Sequence, residues 1–231
     1  MSKLLRPQDA FEALVRLQRG HMRRMEIAPE QLSGQELFLR EWQVKRLRTT
    51  HADLLASPEY GQAAEFFLSE LYGPRDFSRR DADLLALFDF LRSFVPENAI
   101  RAMAYAVEVN ELTHSLDNKL MQDLREMGIP GPFTQEEYEE AYRRGDYAGR
   151  AHQIDLIVET GQELAKLRGA PLVGVTLRAA RAPAYRLGWG ELQEFLEAGY
   201  KAWANMKDPN FFLKTISARE MAILNRIFRR S

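Results

Sequence analysis

Cysteine is absent from the 231 residues of this sequence. The absence excludes a disulfide framework, a thiolate zinc site, an iron–sulfur cluster and a cysteine nucleophile, because each of these needs a thiol group. A chain of this length buries roughly 70–75% of its unfolded surface, so it can form a core without disulfides or metals. The absence of cysteine therefore excludes every enzyme class that depends on a thiol group.

Long hydrophobic runs are also missing. No window approaches the roughly 18 uncharged apolar residues that cross a bilayer as a helix. The N-terminal stretch carries charges throughout and contains no apolar segment of signal-peptide length. We therefore expect a protein that stays in the cytoplasm and has no transmembrane segment.

Motifs for phosphate binding and for hydrolysis do not occur. The patterns G-x-x-x-x-G-K-[ST], G-x-S-x-G and H-E-x-x-H are all absent, and the glycine-containing stretch at 169–174 lacks the lysine of a phosphate loop. Nucleotide-dependent and hydrolytic functions consequently have no motif in their favour.

Charge is nearly balanced, with a net value of -1. Residues 1–50 and 151–231 carry a small excess of basic side chains, whereas residues 51–150 are acidic. Two basic ends around an acidic middle can clamp together in the fold, or they can present basic surfaces to an anionic partner.

Leucine and alanine dominate the apolar residues and recur at spacings of three and four, which is typical of helices. The sequence predicts an all-α fold, a single compact multi-helix bundle of about ten helices with one long central helix. The strand-like segment 172–175 is too short to change this. The predicted helices cover residues 8–27, 34–56, 58–72, 78–94, 97–127, 135–144, 146–168, 172–182, 190–206 and 209–229.

Helix start signals support these boundaries, since Ser or Thr followed three residues later by Glu has the spacing of a capping box. No flexible linker or repeat interrupts the series, so we predict one domain over residues 1–231, with a weak subdivision near 128–132. The candidate boxes are Ser33 with Glu36, Thr134 with Glu137, and Ser217 with Glu220.

The segment from Phe66 to Tyr72 reads FFLSELY. It resembles the signature of uncharacterised bacterial proteins named for an FFLEELY motif, with Ser69 where that name has Glu. Segments at 73–81 and 111–117 and near the C-terminus are similar to other parts of the same family. The resemblance covers most of the chain and implies no activity, because the family carries none.

The motif itself predicts packing, because apolar residues three and four apart share one helical face. An aromatic stripe at this spacing is more typical of a core than of a ligand site. The face consists of Tyr60, Ala63, Ala64, Phe67 and Leu71. The candidate motif residues are Phe66, Phe67, Glu70, Leu71 and Tyr72.

Most of the circumference of the predicted long helix at 97–127 is apolar. Asn110, His114 and Asp117 lie within that apolar arc at spacings of four and three, which predicts a buried polar face. A buried polar group without a partner loses roughly 1–3 kcal/mol. One interpretation is therefore a network in which His114 and Asp117 are hydrogen-bonded across helices.

Glu111 and His114 also form a Glu-x-x-His pair of the kind that binds metals in ferritin-like bundles. Together with Asp117 they could supply carboxylate and imidazole ligands to iron, manganese or zinc. A di-metal bundle needs a second such pair, and no other histidine has Glu three residues earlier. Binding of haem in a haem-oxygenase-like fold is the related alternative. His21, His51 and His152 are expected at the surface.

Basic side chains cluster at 45–48 and at the C-terminus, where Arg226, Arg229 and Arg230 accompany an apolar helix side. Such a helix can meet nucleic acid, a membrane surface or a partner's groove. It can also dock on its own domain, with the cations complementing the helix C-terminus.

The exclusions favour a non-catalytic cytoplasmic interaction or accessory protein, with a protein partner and no cofactor. One alternative is a metal- or haem-dependent helical enzyme centred on Glu111, His114 and Asp117. Another is a basic-face binder of nucleic acid or of a membrane surface.

Overall fold

A computed structural model describes residues 34–71, 97–167, 171–186, 189–204 and 206–230. Within these ranges the chain forms nine α-helices and one π-helical turn, and none of the described residues lies in a strand. The predicted all-α bundle is therefore confirmed. The helices predicted at 8–27 and 78–94, together with Tyr72, lie outside the described residues. Across the described part of the chain, no helix has the length and apolar character needed to span a membrane.

The helices are numbered in chain order, and the long predicted helix is the longest of them. They are α1 (Gly34–Thr50), α2 (Ala52–Ala56), α3 (Gly61–Phe66) with its π-helical continuation (Phe67–Leu71), α4 (Glu97–Glu126), α5 (Gln135–Arg144), α6 (Tyr147–Lys166), α7 (Pro171–Arg186), α8 (Gly190–Ala204) and α9 (Pro209–Phe228).

Two boundaries differ from the prediction in an informative way. The helix predicted at 34–56 is divided at His51, whose φ of -114° and ψ of 26° leave the helical region. The strand-like stretch 172–175 belongs to α7, which runs on to Arg186. A change of chain direction at His51 thus separates α1 from α2 without any glycine or proline.

Of the predicted capping boxes, the one at Thr134 is confirmed and the one at Ser217 is wrong. Thr134 accepts a hydrogen bond from the Glu137 amide and completes the predicted capping box of α5. The box predicted at Ser217 and Glu220 is wrong, because both residues lie inside the continuous helix α9. The Ser-x-x-Glu spacing also occurs in helix interiors, and there the glutamate is free to bind another helix.

Helices α4 and α6 form the central pair, and α9 packs along α6. Gly161 on α6 permits this close approach, since a Cβ there would lie 2.4 Å from Leu213 Cδ2 and 2.9 Å from Trp203 Cη2. Helix α5 packs on α4 and α9, whereas α8 packs on α3 and α7. The bundle therefore has α4, α6 and α9 at its centre.

Aromatic side chains fill the larger core, where α3, α8 and α9 meet. The Phe67 ring centroid lies 6.0 Å from that of Trp203 and 6.1 Å from that of Phe212. Phe66 is also buried and packs against Phe195 on α8. The expectation that the face predicted from the motif is core holds for Ala63, Ala64 and Phe67, and Phe66, which was not assigned to the face, is buried as well. Glu70 and Leu71 fall in the π-helical turn.

A second, smaller core lies between α1, α4 and α5. Gly128 ends α4 with a φ of 80°, a conformation that glycine adopts without steric cost. Phe133, just past the turn at 128–132, is buried and meets Phe38 and Trp42 edge to face. The turn thus returns the chain to α1.

Replacing Phe67 with alanine tests this packing. We expect Phe67→Ala to lower the free energy of unfolding by about 3–5 kcal/mol, because the ring is enclosed by other aromatic side chains. Urea unfolding followed by circular dichroism measures the change.

Phe211→Ala is the matched control, because the Phe211 side chain is 52% exposed. Its cost should stay below about 1 kcal/mol. Equal costs for the two variants would contradict the assignment of Phe67 to the core.

Candidate functional site

The predicted polar face of α4 meets two neighbouring helices, α1 and α6. Asp117 is buried, whereas Asn110, Glu111 and His114 are half-buried. Asp117 Oδ1 accepts hydrogen bonds of 3.1 Å from Gln43 Nε2 on α1 and of 3.1 Å from Arg150 Nη2 on α6. This carboxylate therefore joins three helices.

Arg150 is the buried cation of this arrangement. Its guanidinium carbon lies 4.6 Å from the centre of the Tyr142 ring on α5, within range of a cation–π interaction. Burial acts to lower the pKa of Arg150, but attraction to Tyr142 and Asp117 outweighs it, so the pKa is raised. Arg150 consequently stays charged in the interior.

Hydrogen bonds extend the network on the other side of the guanidinium. Arg150 Nη1 donates to Gln153 Oε1 at 3.3 Å, and Gln153 Nε2 donates to Thr113 Oγ1 at 2.6 Å. Four helices thus contribute polar side chains to one interior seam, which we call the Arg150 network: Gln43, Thr113, Asp117, Tyr142, Arg150 and Gln153.

Two of the three residues predicted as metal ligands, His114 and Asp117, have cations beside them. Arg40 Nη2 lies 3.4 Å from His114 Nε2, and the Arg150 guanidinium group forms an ion pair with the Asp117 carboxylate. A guanidinium group at such a position competes with a metal ion for the same lone pairs. Among the described residues, no group of three or more His, Asp or Glu side chains is arranged to hold a metal ion.

A second buried ionic cluster joins α1 to α9. Glu220 Oε2 pairs with Arg46 Nη2 at 2.8 Å, and Glu220 Oε1 accepts from His51 Nε2 at 2.9 Å. His51 is 5% exposed, so its expected surface position is wrong. The break between α1 and α2 turns it toward α9. His152, by contrast, is exposed as predicted.

The charge of Glu220 is stabilised by its two partners. Burial by itself raises the pKa of a carboxyl group, but the hydrogen bond from His51 and the charge of Arg46 act in the opposite direction and prevail. The pKa of Glu220 is therefore below its ordinary value of 4.5. At neutral pH the carboxylate is ionised and can only accept hydrogen bonds.

Both clusters border an internal cavity of about 90 Å³. Two buried polar atoms in the side chains that line it, Arg46 Nη1 and His51 Nδ1, have no hydrogen-bond partner among the described residues. The rest of the wall is largely aliphatic and aromatic, with Leu54, Phe67 and Ile157 among its members. The cavity thus combines an apolar wall with two unsatisfied polar atoms.

An open groove of about 410 Å³ lies next to the cavity, between α1, α5 and α9. Its charged lining residues are Lys45, Arg46, Arg226 and Glu139. Because Arg46 is paired with Glu220 and Arg226 with Glu139, Lys45 is the lining cation that forms no ion pair with a described residue. Arg46, Tyr138, Ile223 and Ile227 line both the cavity and the groove. Arg46 therefore stands between them.

The predicted basic face of the last helix is docked on the bundle. Arg226 forms two hydrogen bonds, of 3.1 and 2.9 Å, with the Glu139 carboxylate on α5. The Arg230 guanidinium carbon lies 3.8 Å from the centre of the Tyr147 ring. Arg229 is exposed and ends α9 with a φ of 54°. Two of the three arginines thus bind residues of the same chain.

The sequence interpretation missed the Arg46–Glu220–His51 cluster and the partner of Asp117. His51 and Glu220 are separated by 169 positions, and Asp117 and Arg150 by 33. A usable signal existed for Arg150 alone, since it shares a helical face with Gln153, Ile154 and Ile157. An arginine on an apolar face indicates a buried anion nearby.

One family model matches residues 22–231 and carries the description Domain of unknown function (DUF8198). No curated protein shows a significant match to the chain, and neither does any solved structure.

Removing the buried cation tests the Arg150 network. We expect Arg150→Met to lower the free energy of unfolding by about 3–5 kcal/mol, because it leaves the Asp117 carboxylate buried without a counter-charge. Denaturant unfolding at pH 7 measures the effect.

The double variant Arg150→Met/Asp117→Leu removes both charges and should recover most of the loss. A double variant that is less stable than Arg150→Met by a further several kcal/mol would mean that the uncompensated charge is not the cause.

Acid titration tests the Glu220 cluster. Because the pKa of Glu220 is lowered by folding, its stabilisation is complete above 4.5 and is lost as the pH falls through the folded-state value. Glu220→Gln should therefore destabilise the protein at pH 7 and lose less stability than the parent between pH 7 and pH 3.

Asp155→Asn, exposed in the middle of α6, is the control and should keep the parent's acid dependence. If Glu220→Gln and the parent lose equal stability on acidification, the ionised Glu220 does not stabilise the fold.

Proposed function

The chain belongs to the DUF8198 family of domains of unknown function, and we propose that it is a non-catalytic, cytoplasmic accessory protein that acts by binding a protein partner. Family membership brings no assigned activity with it, so the proposal depends on the described surface. The groove between α1, α5 and α9 is the observation that carries it.

The groove has the composition of a protein-binding surface. Its lining includes Trp42, Tyr138 and Arg226, residue types that are enriched where protein interfaces gain most of their binding energy. The Trp42 and Tyr138 rings pack against each other with their centroids 4.0 Å apart and their planes tilted by 31°, so the aromatic floor is formed without a partner. A preformed surface loses less entropy on binding.

The charge of the groove favours an acidic partner. Lys45 is exposed and forms no ion pair with a described residue, whereas Arg46 and Arg226 are paired with Glu220 and Glu139. The positive charge that the groove offers to a partner therefore comes from Lys45. An acidic segment complements the positive charge at the rim of the groove, and an aromatic or aliphatic side chain in that segment fits its aromatic floor. The partner we propose is therefore a protein that presents such a segment.

The same geometry weighs against the alternatives. Asp117 is engaged by a guanidinium group rather than open to a ligand, which supports a structural role for the α4 polar face. Arg226 and Arg230 are held by Glu139 and Tyr147, so few C-terminal cations remain for phosphates. Binding of nucleic acid is retained as an outcome of the test.

We also propose that the family is the one with the FFLEELY motif and that the protein is bacterial. The FFLSELY segment supports this, because it differs from the FFLEELY name only at Ser69.

Fluorescence anisotropy with a labelled peptide of glutamates alternating with phenylalanines and leucines tests the groove. We expect saturable binding that Lys45→Glu weakens about 5- to 30-fold, because the reversal places a negative charge at the rim. A peptide with lysine in place of glutamate should not bind.

Lys214→Glu is the matched control, an exposed lysine at the other end of α9 that should leave affinity within about twofold. Equal binding of both peptides, or an acidic peptide unaffected by Lys45→Glu, would contradict the proposal. Heparin or RNA binding that weakens steeply with salt would instead support the basic-face alternative.

A further inference from the structure

We propose that the internal cavity is a binding site for a short-chain carboxylic acid, held by the two unpartnered atoms of Arg46 and His51. The cavity adjoins the groove and shares Arg46 with it, but the inference does not depend on the proposed protein partner. The inference combines the hydrogen-bonding needs of the two atoms, the size of the cavity and the character of its remaining wall.

The tautomer of His51 follows from its partner. Glu220 is an ionised carboxylate, so His51 Nε2 must carry the proton that it donates across 2.9 Å. In the neutral ring, Nδ1 is then an acceptor that lacks a donor. Arg46 Nη1 is a donor that lacks an acceptor.

Arg46 and His51 bind the two oxygens of the same Glu220 carboxylate, and both side chains line the same cavity. A ligand that satisfies both unpartnered atoms needs an acceptor and a donor. A carboxylic acid has both, since its carbonyl oxygen accepts from Arg46 while its hydroxyl donates to His51. Transfer of that proton to the ring gives a carboxylate facing an imidazolium, with the same hydrogen bonds.

The charge of the site favours a ligand that enters without a net charge. Arg46 and Arg150 are balanced by Glu220 and Asp117, so an added ion would lack a counter-charge and lose its hydration. A carboxylic acid enters with its own proton. The net charge of the cavity is then unchanged whether the proton stays on the ligand or moves to the His51 ring.

Cavity volume limits the chain length. Apolar cavities of about 150 Å³ hold benzene, and each water occupies about 30 Å³ of liquid. A cavity of about 90 Å³ therefore holds roughly three waters or a molecule smaller than benzene. Acetate and propionate are smaller than benzene, and their alkyl carbons would contact the wall around Leu54 and Ile157.

Calorimetric titration with formate, acetate, propionate, butyrate and hexanoate tests the site. Affinity should rise about fourfold for each methylene that is buried and then fall at hexanoate, because the cavity is full. Each non-hydrogen atom of a small ligand can contribute only a limited binding free energy. The dissociation constants of the smallest acids should therefore be about 10–100 µM or weaker.

Acetone, with the same number of non-hydrogen atoms as acetate, should not bind, because it has no donor for His51. Equal heats for acetone and acetate, or affinity that does not depend on chain length, would overturn the proposal and leave a cavity filled by water.

His51→Gln keeps an N–H for Glu220 and removes Nδ1, so propionate should bind at least about fivefold more weakly. Ala64→Val is the second variant, in case His51→Gln does not fold. It adds two methyl groups to the cavity wall and should abolish binding.

Lys45→Glu distinguishes the cavity from the groove and should leave propionate binding unchanged. Propionate binding that is lost in Lys45→Glu and kept in both cavity variants would place the ligand in the groove and overturn the inference.

Discussion

The positive charge of Arg150 lies in the interior of the bundle. The arrangement of four helices depends on surrounding this guanidinium group with a counter-charge and hydrogen-bond acceptors. A buried guanidinium group is stable only where a counter-charge and hydrogen-bond acceptors meet its fixed, planar set of donors. Asp117 on α4 supplies the charge, Gln153 on α6 an acceptor and Tyr142 on α5 an aromatic face. Gln43 connects α1 to the network, because its side chain donates a hydrogen bond to the same Asp117 carboxylate.

These directional contacts constrain the bundle more tightly than apolar packing alone. Leucine and alanine side chains tolerate a helix that slides or rotates by a small amount, whereas a hydrogen-bonded ion pair does not. The Arg150 network lies between the aromatic core around Trp203 and the smaller core around Leu124. It thereby fixes how the two apolar clusters are placed relative to each other.

The same constraint explains the cavity. Arg46, Glu220 and His51 form a second ionic cluster, and two sets of charged groups with fixed geometry cannot fill the space between them as closely as aliphatic side chains can. The cavity is bordered by both sets and retains two unsatisfied polar atoms. A groove lined by Lys45 adjoins it through Arg46. Both proposed binding sites thus arise from how the charges are arranged.

Local sequence was sufficient for the helices and insufficient for the charged interior. Apolar spacing predicted the helices that the structure describes, and the position of Asp117 on an apolar arc predicted its burial. The break at His51 was missed because no glycine or proline marks it, and the basic neighbours of His51 indicated a surface. Glu220 was assigned to a cap because its spacing from Ser217 fits one. The true partners of these residues come from distant segments, which helical periodicity does not identify.

The ring nitrogens of His51 offer the most direct measurement of the charged interior. Long-range nitrogen–proton correlation spectra at pH 7 should show a proton on His51 Nε2 that is hydrogen-bonded to Glu220 and exchanges slowly with solvent. The exposed His152 ring gives an internal reference with rapid exchange in the same spectrum. A His51 ring that matches His152 would contradict the buried cluster, and with it the account of how this bundle is held together.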